Sequence, residues 1–479
     1  MNIDNPEENA NHRIRQLIWL YFWLLLIEGA LRKWVVPQLS NPLLIVRDPV
    51  AIAIYLFSIR SRVFPRNGWT IALAVIGFLS LAATFAQLWP YLPPSKVAFV
   101  AGYGFRSNYL HLPLIFVMAR VLRPDDVRKI GWWTLLLLTP MSILMAAQFR
   151  AAPDAFVNRT VGGEGEMMLS ALGKVRTAGT FSFVIGVVAY FSLATGYLVW
   201  GVLKKGVYKN WLLAAAGIAL VIGIAVSGSR TVVAACAVVI ASLLLVIVLR
   251  PDVVNRFGQV LIVMLVLGFI VSRTPIFREG VNVLTTRFTE AAEAAEQTVT
   301  GSIISRLFAS FDEGLFVLGK APFLGYGLGV GTNAGAKLLT GHSLFLLSEG
   351  EWSRIFLESG PVLGLAYVAW RCAIAARIGW LCLKSVLLGN LLPLLLFSSS
   401  CLPMVSGQFG QPTILGFTVF ATGLALAARN EQDFAASIPI ASPAARPKAD
   451  TVVRSRSAYA ARLHGSDVGP SQSNGASDR

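Results

Sequence analysis

Between Gly301 and Gly364 the chain concentrates the residue types that do chemistry. Ser305-Arg306-Leu307 comes first, then Pro322-Phe323-Leu324-Gly325-Tyr326-Gly327-Leu328-Gly329. His342 follows between Gly341 and Ser343, and Glu351-Trp352-Ser353-Arg354 leads into Glu358-Ser359-Gly360. An imidazole titrates near neutrality and suits proton transfer, a task carboxylates such as Glu351, Glu358 or Glu349 also perform. Arginine's planar fork grips phosphate oxygens in pairs. The run Gly325–Gly331 is too glycine-dense for a helix; it is either a plain loop or a turn whose backbone approaches a phosphate. Arg354 and Glu358, four residues apart, read equally as an ion pair on one helix face and as two members of a site.

Further cations lie outside this stretch. Arg230 sits in the tight turn Ser227-Gly228-Ser229-Arg230-Thr231 between two apolar runs. An arginine at a membrane rim either finds an anion or snorkels to the headgroups. Arg176 opens Arg176-Thr-Ala-Gly-Thr-Phe-Ser-Phe183. Glu28 and Arg32, one helical turn apart, read as a structural ion pair. Arg106 and His111 are the main charges placed inside an apolar run.

The elements that position these residues follow from composition. The chain has 479 residues, 55% hydrophobic and 14% charged, with a mean hydropathy of +0.64. Soluble domains carry about 25% charge, so a soluble multidomain protein is excluded. Apolar runs of about 20 residues match a hydrocarbon layer of ~30 Å, and a helix satisfies its own backbone there. The expected fold is an all-α polytopic membrane protein of about twelve transmembrane helices. The spans are placed at Gln16–Ala30, Pro42–Ile59, Trp69–Trp89, Val97–Val121, Ile130–Phe149, Phe181–Leu203, Trp211–Ser227, Thr231–Leu249, Phe257–Ser272, Pro361–Leu383, Val386–Met404 and Gln411–Ala428. Residues 1–15 form a cytoplasmic N-terminus, 16–272 the first nine spans, 273–360 a large external loop, 361–428 the last three spans, and 429–479 a disordered cytoplasmic tail. Within the external loop, short helices are expected over Val283–Gln297 and over Ser302–Leu318, the latter carrying Arg306 on its first turn.

The formal net charge of +16 reflects a cytoplasmic Lys/Arg excess rather than a nucleic-acid partner. With the N-terminus inside, cytoplasmic loops carry Arg60/Arg62/Arg66, Arg120/Arg123/Arg128/Lys129, Lys204/Lys205/Lys209, Arg250/Arg256 and Arg371/Arg377/Lys384. Short external connections carry only Arg32/Lys33/Arg47, Lys96 and Arg230. The loops Arg150–Thr180 and Arg273–Gly360 then face outward. Cys236, Cys372, Cys382 and Cys401 lie in or beside apolar runs without metal-ligand spacing, so neither disulfide nor zinc is expected. No internal repeat of the kind that builds many transporters is visible.

Together these pieces resemble the O-antigen ligase/polymerase (Wzy-like, Wzy_C) superfamily, in an uncharacterised ligase-like subgroup. They are Ser-Gly-Ser-Arg230 opening a span, a long external loop with Ser-Arg306-Leu, Pro-Phe-Leu-Gly-Tyr-Gly-Leu-Gly329, a histidine, and Glu358-x-Gly-x-x-x-Gly364. The likeness runs from about Arg176 to Gly364, and Glu28-Gly-Ala-Leu-Arg-Lys-Trp34 is similar to the N-terminus of the subgroup. The resemblance implies a GT-C-like membrane glycosyltransferase of the bacterial inner membrane. It would transfer a glycan from polyprenyl (undecaprenyl) diphosphate to an acceptor glycan or lipid on the outer face, without metal or other cofactor. It further implies that Arg230 and Arg306 hold the donor diphosphate and that His342 takes the acceptor proton; Arg176 and Arg354 are further candidates for the diphosphate site. The family histidine is commonly followed by Asn and, at a short interval, by Glu-x-Gly. Here Ser343 follows and Glu358 lies sixteen residues on, so Glu351, Glu349 and Glu358 stay open as the base. A flippase of lipid-linked sugars and a non-catalytic member of a polysaccharide assembly complex are the alternatives.

Overall fold

The computed structural model describes residues 6–163, 169–249, 258, 262, 266, 268–294, 311–342 and 346–430. Regular structure among them is helical, apart from one isolated bridge between Leu169 and Val175. The helices are α1 Pro6–Ala30, α2 Ser40–Leu43, α3 Arg47–Arg60, α4 Gly68–Leu88, α5 Pro94–Phe105, α6 Leu114–Val121, α7 Pro124–Arg150, α8 Val184–Leu203, α9 Asn210–Val226, α10 Arg230–Leu249, α11 Pro275–Ala294, α12 Asn333–Thr340, α13 Glu351–Leu387, α14 Leu392–Ser398, α15 Cys401–Ser406 and α16 Pro412–Ala427. Residues 311–318 are also helical.

Among the described residues, seven helical stretches are long and apolar enough to cross a membrane: Ala10–Val35, Pro37–Arg60, Gly68–Leu88, Pro124–Arg150, Val184–Leu203, Arg230–Leu249 and Glu351–Leu387. The helices α9 and α16 are apolar but shorter. Burial separates their roles: 78% of the apolar window of α8 is buried, against 22% for α4. Accordingly α8 sits among α7, α10, α14 and α16, and α4 presents Ile71, Val75 and Phe78 outward.

Two of the expected spans are broken, for local reasons. The stretch Val97–Val121 divides into α5, a π-helical turn at Arg106–Leu110, and α6. Pro113 has no N–H to continue the ladder, and the polar run before it bonds across the bundle instead of lying in lipid. The stretch Val386–Met404 likewise divides: α13 runs on to Leu387, Gly389 turns the chain at φ 92°, and α14 and α15 meet at Ser399–Ser400. There the hydroxyls of Ser398, Ser399 and Ser400 donate back to Leu395, Leu396 and Phe397 O. Such back-bonding competes with the helical ladder.

Other boundaries also move. Of the first expected loop helix, Val283–Gln297, residues 283–294 are the end of the longer α11, and 295–297 lie outside the described residues. Of the second, Ser302–Leu318, only 311–318 falls within the described residues. Arg306, Ser343, half of the span expected at Phe257–Ser272, and the tail from 431 lie outside them. Arg371, expected in a cytoplasmic loop, is fully buried within α13.

Candidate functional site

The site is organised by a bend in α13. Gly360 (φ 75°, ψ 172°) interrupts the helix and Pro361 follows. Only glycine takes this conformation cheaply, and a Cβ here would stand 2.1 Å from Phe323 O. The first limb, 351–359, folds back on the second: a Cβ on Gly364 would meet Phe356 Cδ1 at 2.9 Å and Ile355 O at 3.2 Å. Carbonyls freed by the bend are capped by the glycine-rich loop. Tyr326 N donates to Leu357 O (2.7 Å) and Gly327 N to Glu358 O (3.0 Å). Leu328 N donates to Thr84 Oγ1 (2.8 Å) and Gly331 N to the Glu358 carboxylate (2.9 Å). These loop amides are engaged within the fold, so the glycines serve close packing around a broken helix.

The fold-back brings Glu351 to Arg371, twenty residues on, at 2.7 Å. Arg354 bridges Glu351 (3.0 Å) and Glu358 (2.6 Å), and its Nη2 also donates to Asn108 Oδ1 of the π-helical turn (2.9 Å). Arg371 donates besides to Met404, Pro403 and Gly407 O at the end of α15 and stacks on Phe409 at 3.8 Å. Phe409 N completes the set on Glu351 (3.2 Å). All four charged groups are buried and the two cations match the two carboxylates. A buried network holds when every member is satisfied, and this one is. A polar recess of about 20 Å³ opens beside it, lined by Thr332, Asn333, Glu349, Gln408 and Gln411 above Glu351 and Arg354. That is room for one water-sized group.

A second buried network stands on the other side of the π-helical turn. Glu28 accepts from Arg32 (3.3 Å) and Arg47 (3.0 Å). Asp48 holds Arg106 and His111, and His111 is within 3.2 Å of the Tyr21 hydroxyl. Arg106 and Asn108 thus anchor the turn in both networks at once. The rest of the motif 28–34 clasps the segment 176–183. Lys33 Nζ donates to Gly179 O (3.2 Å), Arg32 Nη1 to Ser182 Oγ (3.1 Å), and Thr180 Oγ1 returns a bond to Leu26 O (3.0 Å). Gly29 is required by this contact, since a Cβ would lie 2.4 Å from Thr180 O. Gln148 fixes the same segment through both sides of Gly179.

The segment 169–183 also reaches the turn before α10. Thr177 Oγ1 donates to Val226 O (3.1 Å) and Ser170 Oγ to Gly228 O (3.1 Å). Arg176 and Arg230, 54 positions apart by their numbers, therefore lie on adjoining segments, each half-buried. The Arg230 guanidinium lies 5.9 Å from the Phe288 ring of α11. His342 is placed elsewhere: it follows α12, is exposed, and its N–H donates to Thr340 Oγ1 (3.3 Å).

Of the residues singled out from the sequence, the structure gathers Glu351, Arg354 and Glu358 in one network and places Arg176 and Arg230 on adjoining segments. It does not join His342 to either group among the described residues. The pair Arg354/Glu358 is an ion pair within a fold-defining network, as is Glu28/Arg32. Sequence reasoning missed Arg47, Asp48, Asn108 and Arg371. Their one legible signal was charge or amide inside an apolar run. No protein-family model matches the chain, and no curated protein matches it.

Proposed function

We propose that the chain is a membrane glycan transferase of polymerase or ligase type, working with about twelve membrane crossings at the outer face of the bacterial inner membrane with both termini cytoplasmic. The donor is a glycan on polyprenyl diphosphate and the acceptor a hydroxyl of a glycan or lipid. The observation that carries this reading is the docking of segment 169–183 on both the Glu28–Trp34 motif and the Ser227–Arg230 turn. Three sequence pieces, each weak alone, meet through these bonds, and the two arginines lie on adjoining segments.

In this reading Arg176 and Arg230, with Arg306, hold the donor diphosphate. The acceptor oxygen attacks the anomeric carbon and its proton passes to His342. The bond from that carbon to the diphosphate oxygen breaks, and the electron pair leaves on the diphosphate, where the guanidiniums stabilise it. His342 is preferred as base because the oxygens of Glu351 and Glu358 already accept from arginine or backbone N–H. Arg354, committed to those carboxylates, acts as a positioning residue for the α13 bend. Replacing Arg230 or Arg176 by Ala should lower polymer synthesis about 10²–10³-fold while the protein still inserts. Wild-type polymer in both variants overturns the proposal.

The alternative is a flippase of the same lipid-linked sugars, favoured by the charges of Arg106, His111 and Asp48 in the bundle interior. Translocation in proteoliposomes without bond formation would establish it. A non-catalytic assembly component would instead retain polymer synthesis when Arg176, Arg230 and Arg306 are all replaced, and lose it when the protein is deleted.

A further inference from the structure

A second feature, independent of the transferase reading, lies at the α3–α4 connection. Helix α3 ends in a Schellman motif: Val63 N bonds Ser58 O (2.9 Å) and Arg62 N bonds Ile59 O (3.1 Å). The residue at the left-handed position of that motif is normally glycine. Here it is Arg62, at φ 56°, a conformation that disfavours residues with a Cβ. A strained non-glycine residue where glycine would fit better invites a functional reason, and what arginine adds at an exposed loop is charge.

Two more exposed arginines surround it. Arg66 lies four residues on, and Arg120 at the end of α6 donates to Val63 O (3.0 Å). Among the described residues no carboxylate pairs with Arg62, Arg66 or Arg120. The acids at the start of α7, Asp125 and Asp126, face Arg128 and Arg15 instead. Directly beside Arg66 opens an apolar cavity of about 340 Å³, lined by Tyr55, Phe64, Ile71, Phe105 and Tyr109. Its size falls within the ~300–1,000 Å³ of small-molecule sites. Its wall is hydrocarbon and aromatic, and its cationic group lies at the connection between helices.

We propose that this cavity and arginine rim form a binding site for an anionic phospholipid, one acyl chain lying in the cavity and the phosphate on Arg62, Arg66 and Arg120. Charge complementarity selects that occupant over a neutral lipid, because each basic residue near an anionic headgroup contributes a separate increment of affinity. A free phosphate would leave the apolar cavity unused.

The test is native mass spectrometry of the full-length protein, purified in mild detergent and exchanged with mixed phosphatidylglycerol and phosphatidylcholine. The wild type should retain phosphatidylglycerol preferentially. Arg66→Gln and Arg62→Gly should each lower that preference about fivefold. Ala74→Trp, which fills the cavity from α4, should reduce retention of both lipids. Arg62→Gly carries a second readout: glycine relieves the strained cap, so this variant should melt no lower than wild type in lipid-free detergent while binding less phosphatidylglycerol. Equal retention of the two lipids by the wild type, unchanged selectivity in both arginine variants, or displacement of phosphatidylglycerol by a neutral lipid or by polyprenyl phosphate would each overturn the proposal.

Discussion

Glu351 accepts from two arginines and a backbone amide, and Arg354 divides its nitrogens among Glu351, Glu358 and Asn108. Removing one member of such a set leaves an opposite charge buried without its partner, at a cost of about 3–5 kcal/mol. Glu351→Ala should therefore abolish folded protein, read by monodispersity after detergent extraction. A monodisperse variant with wild-type melting would refute the keystone role given to Glu351. His342 makes the opposite prediction. It is exposed, and among the described residues its hydrogen bonds run through its backbone, so His342→Ala should leave melting unchanged. If it is the base, polymer synthesis should fall about 10²–10⁴-fold. Full synthesis by that variant would return the proton transfer to a carboxylate such as Glu349, which lines the polar recess.

At the scale of elements, two glycines set how segments meet. Gly360 permits α13 to fold back so that Glu351 reaches Arg371, and Gly29 permits α1 to touch the segment 176–183. A methyl group at either site meets a carbonyl oxygen well inside contact distance. Gly360→Ala adds a disfavoured backbone conformation of about 1–3 kcal/mol to that clash, and little protein should survive extraction. Gly29→Ala should be milder in stability yet lower polymer synthesis, because it separates the α1 motif from the segment carrying Arg176. Unimpaired synthesis with a wild-type melting profile would show that this contact is dispensable. The π-helical turn at Arg106–Leu110 explains why span positions were legible only in part. Hydropathy placed apolar residues at Val97–Val121, but the polar residues between them have partners on α3 and α13 that no local window contains.

For the whole molecule, the orientation deduced from basic loops places Arg62 and His342 on opposite sides of the membrane. In a cysteine-free background, Arg62→Cys should label only from the cytosolic side and His342→Cys only from outside. Labelling of both from one side would invert or dismantle the arrangement on which the transferase reading stands. Lipid embedding and helical architecture were legible in the residues themselves. Apolar run length and the need to satisfy the backbone in lipid are local properties, readable one window at a time. The pairing of charges was not. Arg47 reaches Pro412 O across 365 positions, and Arg354 reaches Asn108 across 246. Such partners are selected by which surfaces α3, α13 and the π-helical turn bury together, and only the tertiary structure decides that. The same cause turned Arg371 from an expected loop cation into the fully buried partner of Glu351, because Gly360 folds its helix back.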